Sequence, residues 1–291
     1  MPVKRKPEWL RKRNPPNIMM RETKKILKKY ELHSVCQSAR CPNIAECFSN
    51  KTATFMILGD ICTRNCRFCA VKNGTPGPIN KNEPENIRKA VVELGLKHVV
   101  ITSVTRDDLP DGGASQFIRS IHEIRKMDPN IVVEILTPDF KMDKKVIKNL
   151  VDAKPNIFNH NVETVPRLYS KVRPQAIYRR SLELLEYVKK LDNKIYTKSG
   201  IMLGLGETED EVIQVMKDLR EINCNILTIG QYLQPTKNHL EVEEYIVPEK
   251  FDKYKKIGEE LGFDYTASAP FVRSSFNARD FSNKFLKNLS S

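Results

Sequence analysis

The sequence predicts an α/β fold, a partial (β/α)6 TIM-like barrel with an extension at each end. Six short apolar runs alternate with six helical patterns between residues 53 and 261, and such alternation builds parallel βα units. The runs are rich in Val, Ile and Leu with little polar alternation, as in strands covered by helices. Six units are fewer than the eight of a closed barrel, so the sheet is expected to stay open. A flat doubly wound sheet is the second reading.

In chain order, residues 1–50 read as an irregular basic arm, a short helix over 22–30 and three cysteines. Strands are expected at 53–59, 98–104, 131–136, 156–159, 194–203 and 226–232, and helices at 84–94, 114–127, 143–152, 178–191, 208–222 and 248–261. Pro84 and Pro248 suit the first helical turn, where a missing N–H leaves no bond unmade. The chain therefore divides into an arm (1–50), a barrel (51–265) and a C-terminal extension (266–291).

The chain has 291 residues, 40% of them hydrophobic, which suffices for a sizeable core. No apolar run approaches the roughly 18 residues of a membrane span. The first residues are basic, lack an apolar segment and are broken by Pro2, Pro7, Pro15 and Pro16. They suit neither a secretory signal nor a transit helix, and the expected location is the cytoplasm. The net charge is +13, and the first 30 residues hold eleven Lys or Arg against Glu8 and Glu22, a local +9. This arm reads either as a surface for an acidic partner or as a solvated segment. No nucleic-acid module or aromatic stacking pattern accompanies the charge, so neither nucleic acid nor membrane is expected as a partner.

In either fold the site lies at the carboxyl ends of the strands, and polar or Gly-rich loops gather there. Cys62, Cys66 and Cys69 follow the first strand; Thr105–Asp108 and Asp111–Gly113 follow the second. Asn159, His160, Asn161 and Glu163 follow the fourth, Gly204–Glu207 the fifth, and Gln231 and Gln234 the sixth. Gly204-x-Gly206 lacks the third glycine of a dinucleotide fingerprint, since position 209 is Glu. Close approach of backbone to a bound small molecule explains those glycines better.

Six of the seven cysteines form two triplets, Cys36-x4-Cys41-x5-Cys47 and Cys62-x3-Cys66-x2-Cys69. Thiolates this close converge on soft metal centres, and three per group suggest two iron–sulfur clusters. Three cysteines leave one iron of a four-iron cluster open, and an open position is where metal sites do chemistry. The odd cysteine count and the size of the chain argue against disulfides. Only Cys66 and Cys69 make a C-x-x-C pair, so structural zinc ranks below iron–sulfur. Cys224, alone in the apolar stretch 222–229, reads as an inert buried thiol. The N-terminal extension is thus expected to be cluster-binding.

The second triplet, with Phe68 before its last cysteine and directly after the first barrel strand, resembles the signature of radical S-adenosylmethionine (SAM) enzymes. That resemblance implies a 4Fe–4S cluster on Cys62, Cys66 and Cys69, with SAM on the open iron and a 5′-deoxyadenosyl radical released on reduction. The first triplet and Arg273-Ser274-Ser275-Phe276 are similar to the lipoyl synthase family. So are the stretches 102–108, 134–139, 159–163 and 230–236. The resemblance runs from about residue 6 to residue 276. The family usually ends the terminal element in Tyr, where this chain has Phe276, keeping the ring and losing the hydroxyl.

The lipoyl synthase resemblance implies a second, auxiliary 4Fe–4S cluster on Cys36, Cys41 and Cys47, with Ser275 as its fourth ligand. Serine oxygen is a harder, weaker partner for iron than thiolate, which suits a cluster meant to be dismantled. The implied reaction inserts two sulfur atoms at carbons six and eight of an octanoyl chain on a lysine of a lipoyl carrier domain, with the auxiliary cluster as sacrificial donor. Carriers would be the glycine-cleavage H protein or acyltransferase subunits of 2-oxoacid dehydrogenases, and the electron donor a ferredoxin or flavodoxin. Phe68 is expected near the adenine, with Asn161, Glu163, Arg173, Gly204 and Gly206 contacting the ribose and methionyl ends. The alternatives are another radical SAM sulfur-inserting enzyme, resembling biotin synthase, and a non-catalytic iron–sulfur electron carrier. The first triplet and residues 273–276 speak against the former; the βα units and polar strand ends speak against the latter.

Overall fold

The computed structural model describes residues 5–11 and 18–275. Lys4, Lys12, Arg13, Phe276 and the remaining C-terminal tail lie outside the described residues.

The amphipathic pattern of the N-terminal region makes one helix, α1 (Ile18–Lys29), which begins four residues before the helix expected from the sequence. Its Thr23 hydroxyl donates to Phe48 O (2.8 Å), tying it to the cysteine-bearing segment. That segment contains β1 (His33–Ser34), α2 (Val35–Ser38) and α3 (Ile44–Ser49), followed by β2 (Thr54–Ile57), β3 (Ile61–Cys62) and β4 (Lys72–Asn73). The barrel continues through α4 (Glu83–Leu94), β5 (His98–Ser103), α5 (Ala114–Met127), β6 (Val132–Leu136), α6 (Lys144–Asp152) and β7 (Ile157–Asn159). Then come α7 (Tyr169–Val172), α8 (Tyr178–Leu191), β8 (Tyr196–Leu203), α9 (Glu209–Glu221), β9 (Ile226–Gln231), α10 (Pro248–Glu260) and β10 (Tyr265–Ser268).

The helix starts have local causes. Thr208 and Glu211 form a reciprocal capping box at α9, and the Asp143 side chain caps α6 by accepting from Lys145 N and Val146 N. Pro248 sits in the first turn of α10.

Eight strands form one sheet in the order β1-β2-β5-β6-β7-β8-β9-β10. β1 runs antiparallel to β2, and each later neighbouring pair is parallel. The six expected units are present, and the barrel is open between its edge strands. The seventh parallel strand, β10, is an addition to the sequence expectation: it starts at residue 265 and pairs with β9 from Tyr265↔Ile226 to Ser268↔Ile229. Tyr-Thr-Ala-Ser has no apolar run, so only pairing with β9 makes it a strand. The boundary drawn at 265 falls at its first residue.

Helices cover the outer face, and Phe55, Ile57, Ile101, Val133, Ile135, Phe158, Leu227 and Ile229 are fully buried beneath them. The other face points into the barrel. Alternation along the strands puts Glu134 and Lys198 two residues below Leu136 and Gly200, which line the cavity described below. Lys198 Nζ lies 2.8 Å from Glu134 Oε1, and both side chains are almost fully buried. Among the described residues, no helix is long and apolar enough to cross a membrane.

Candidate active site

A cavity of about 560 Å³ opens at the carboxyl ends of the strands. Its walls include Cys36 and Cys41 from the N-terminal extension, Cys62 at the end of β3, Cys66 and Cys69 from the loop that follows it, and Ser275 from the C-terminal segment. Asn161, Glu163, Arg173 and Phe68 line it too. Cys47 lies on α3, half-buried, and does not line the cavity.

The N-terminal cysteines are set by short helical turns. Ser34 accepts from Cys36 N (3.2 Å) at the start of α2, and Cys41 N donates to Cys36 O (3.0 Å). Asn43 Nδ2 donates to Phe271 O (2.7 Å), which joins this segment to the C-terminal one. Ser275 Oγ meets Thr54 Oγ1 at 2.8 Å, at the start of β2.

The second cysteine loop is tied down from several sides. Thr63 N donates to Thr105 O (3.0 Å), and Asp107 N to Thr63 Oγ1 (3.0 Å). Arg64 forks onto Asp107 (2.7 and 3.0 Å) and reaches Asp139 Oδ1 (2.7 Å), while Arg180 holds the other Asp139 oxygen at 2.7 Å. Arg67 N donates to Val172 O (2.9 Å), Leu240 N to Arg67 O (3.2 Å), and His239 Nε2 to Cys69 O (3.0 Å). Of the polar residues after the second strand, Thr105 and Asp107 thus hold the cysteine loop, and Thr105 also lines the cavity. Sequence reasoning assigned no role to Arg64, Asp139 or His239; the only signal for Arg64 was its place between two cysteines.

Burial pushes the Cys66 thiol up and raises that of Cys69 to about 12, so both are neutral thiols unless a metal takes the proton's place. Cys62 Sγ accepts from Arg64 N (3.4 Å) and Thr105 N (3.3 Å), the kind of N–H···S contact that tunes iron–sulfur centres. Among the described residues no three His, Cys, Asp or Glu side chains close on a single metal ion; a cluster instead takes its thiolates on separate irons.

Arg173 Nη1 donates to Asn161 O (2.8 Å) and Val162 O (3.1 Å). Asn161 Nδ2 donates to Glu163 Oε1 (3.0 Å), whose carboxyl is raised by burial against the lowering pull of Arg173. Asn161 Oδ1 and Arg173 Nε are buried without a hydrogen-bond partner. Each such atom costs about 1–3 kcal/mol when left unmet. The residues therefore fit a polar small molecule beside thiolate-bound iron.

Gly204 and Gly206 are not among the cavity walls. Gly204 has φ +99°, and a Cβ there would come 2.4 Å from Glu244 O, so it serves packing of the loop after β9. Gly200 and Gly230, which sequence reasoning did not single out, do line the cavity.

The Radical SAM superfamily model matches residues 56–219. Among solved structures, Streptococcus suis SuiB bound to S-adenosylmethionine superposes with a TM-score of 0.59 at 13% identity, over 80% of this chain and 54% of SuiB. The chain thus spans about half the length of SuiB. Methylornithine synthase gives a TM-score of 0.56 at 13% identity, over 89% of this chain and 85% of that one. These likenesses define the fold of the class. At the sequence level, the lipoyl synthase of Caldanaerobacter subterraneus subsp. tengcongensis is 59% identical over 94% of this chain and 96% of its own length. Those of Rubrobacter xylanophilus and Caldicellulosiruptor saccharolyticus are each 55% identical, over 94% and 95% of this chain and 86% and 97% of theirs. The chain belongs to the lipoyl synthase family of the radical SAM superfamily. It is a sulfurtransferase that uses SAM and 4Fe–4S clusters to place two sulfur atoms on an octanoyl chain carried by a lipoyl carrier domain.

Proposed function

We propose that the two cysteine groups divide the work of this reaction within one cavity. Cys62, Cys66 and Cys69 would hold the cluster that takes SAM, and Cys36, Cys41, Cys47 and Ser275 the auxiliary one. The carrying observation is that Ser275, Cys36 and Cys41 line the same cavity as the second triplet. When bound, these groups supply an abstracting radical and a sulfur source. Such chemistry is required because the octanoyl C–H bonds are unactivated and no side-chain base can remove the proton.

The chain's own residues bind, orient and exclude water. Asn161 Oδ1 and Arg173 Nε offer an unmet acceptor and donor to SAM, Glu163 orients the Asn161 amide, and Phe68 gives an apolar face. Gly204 and Gly206 act indirectly through the loop after β9. The reacting atoms must approach to about 3–3.5 Å, and apolar wall residues such as Met56, Leu136 and Met202 keep out water that would quench a radical. The basic arm, including Lys4, Arg5 and Lys6, steers an acidic carrier, either the glycine-cleavage H protein or an acyltransferase subunit of a 2-oxoacid dehydrogenase. A ferredoxin or flavodoxin supplies electrons, in the cytoplasm. The three-part division at residues 50 and 265 separates auxiliary-cluster ligands, barrel and Ser275 segment.

Anaerobically reconstituted protein with SAM, a strong reductant and an octanoyl-lysyl peptide tests these roles. The peptide should gain two sulfurs, Cys62→Ala should abolish 5′-deoxyadenosine and product together, and Cys41→Ala should keep 5′-deoxyadenosine but lose product. Full product from Cys41→Ala would overturn the division of labour.

A further inference from the structure

Asn161 spends its amide N–H groups on two separate parts of the molecule. One partner is Glu163 Oε1 at 3.0 Å, and the other is Ser274 Oγ at 2.5 Å. The carboxylate fixes which end of the amide is nitrogen, because an amide oxygen against it would be repelled. That leaves Oδ1 buried and unmatched. It points toward Gly200, where a Cβ would come within 3.0 Å of it.

Ser274 belongs to a segment, 270–275, laid over the barrel mouth. Gln231 N donates to Pro270 O (3.2 Å), Asn43 Nδ2 to Phe271 O (2.7 Å), and Thr54 Oγ1 to Ser275 Oγ (2.8 Å). It lies so close to β9 that a Cβ on Gly230 would sit 2.1 Å from Val272 O. The three bonds just named hold the segment to backbone or to strand and helix starts. The Asn161–Ser274 bond instead joins it to a side chain of the cavity wall whose buried acceptor has no partner.

We infer that Asn161 and Ser274 form a link through which SAM and the C-terminal segment hold each other in place, with Ser274 a positioning residue. The inference rests on the proposed SAM contact of Asn161. A donor from SAM on Oδ1 pins the amide, and a pinned amide keeps its N–H on Ser274. The segment that carries Ser275 is then ordered when SAM is bound. Linkage makes this reciprocal: whatever SAM adds to the segment, the segment adds to SAM affinity. One ordinary hydrogen bond sets the scale at about three- to tenfold.

The test uses the reconstituted holoenzyme without reductant, so that SAM binds but is not cleaved. The SAM dissociation constant is measured by equilibrium dialysis for the native chain, Ser274→Ala, Ser274→Thr and Asn161→Ala. Hydrogen exchange of a peptide spanning 269–275 is followed with and without SAM. Ser274→Ala should weaken SAM about three- to tenfold and abolish the SAM-dependent slowing of exchange; Ser274→Thr, which keeps the hydroxyl, should restore both. Native-like affinity in Ser274→Ala alongside weakened Asn161→Ala would overturn the link and leave the SAM site standing. Native-like affinity in Asn161→Ala would overturn the assignment of Asn161 and the link with it.

Discussion

Arg64 Nη2 and Asp139 Oδ1 lie 2.7 Å apart with both side chains almost fully buried, joining the loop between Cys62 and Cys66 to the segment after β6. Arg180 sits on the second Asp139 oxygen, and Asp107 takes the remaining fork of Arg64. A charge buried this way is tolerable only while its partners are present.

Asp139→Ala should therefore destabilise the fold by about 3 kcal/mol, near the lower end for a broken buried pair because Asp107 still holds Arg64. Arg64 and its neighbours keep the Asp139 carboxyl well below the usual carboxylate range, against the opposing effect of burial. A depressed carboxyl gives stability that is complete above its unfolded value, near 3.8, and fades as pH falls below it. Urea unfolding at pH 7 and pH 3 checks both: the native–variant gap should be wide at pH 7 and narrower at pH 3. Lower iron uptake on reconstitution should accompany the loss.

His160 titrates in a different window. Its Nδ1 donates to Thr137 O (2.8 Å) and its Nε2 accepts from Ser181 Oγ (3.0 Å). Burial, with Arg173 nearby, lowers its pKa from 6.5 to about 4. The unfolded chain takes up the proton first, so stability is complete above pH 6.5 and falls as pH drops toward 4. The loss is of order 3 kcal/mol across that window. His160→Asn should be less stable at pH 7 and show a flatter decline; equal slopes in the two proteins would refute the assignment.

Gly230→Ala should push the C-terminal segment off β9, since the added methyl would meet Val272 O. Destabilisation of about 1–3 kcal/mol is expected for an overpacked site. Limited proteolysis should cut the 270–275 region faster than in the native chain, and product formation should fall more than 5′-deoxyadenosine formation.

Cys224 should behave unlike the other six cysteines. It is fully buried, and burial raises its thiol to about 12. Iodoacetamide on the folded, metal-free protein should leave it unmodified, with labelling only in denaturant, as read by peptide mass spectrometry. Cys224→Ala should assemble the same iron content as the native chain.

Much of this was legible in the sequence because it is local. The six strand–helix units follow from apolar periodicity, and the two cysteine triplets from spacing within a dozen residues. Pro84 and Pro248 mark the first turns of their helices from within them. Cys224 reads as buried from its apolar neighbours alone. β10 was not legible, because Tyr-Thr-Ala-Ser becomes a strand only against the free edge of β9. The glycines tell the same story: Gly204-x-Gly206 looked like a ligand turn, but the close neighbours of Gly204 are Gln231 and Glu244, distant along the chain.

The sequence by itself determined the chemistry available to this protein: two sets of thiols, a barrel to carry them, and polar residues at the strand ends. Tertiary structure alone decided which of those residues meet. Arg64 finds Asp139 across 75 positions, Asn161 finds Ser274 across 113, and Thr54 finds Ser275 across 221. The reason is physical. Local propensity and burial pattern act within a turn or a strand. Contacts between loops depend on which strands become neighbours in the sheet, and that order is settled only when the whole core closes.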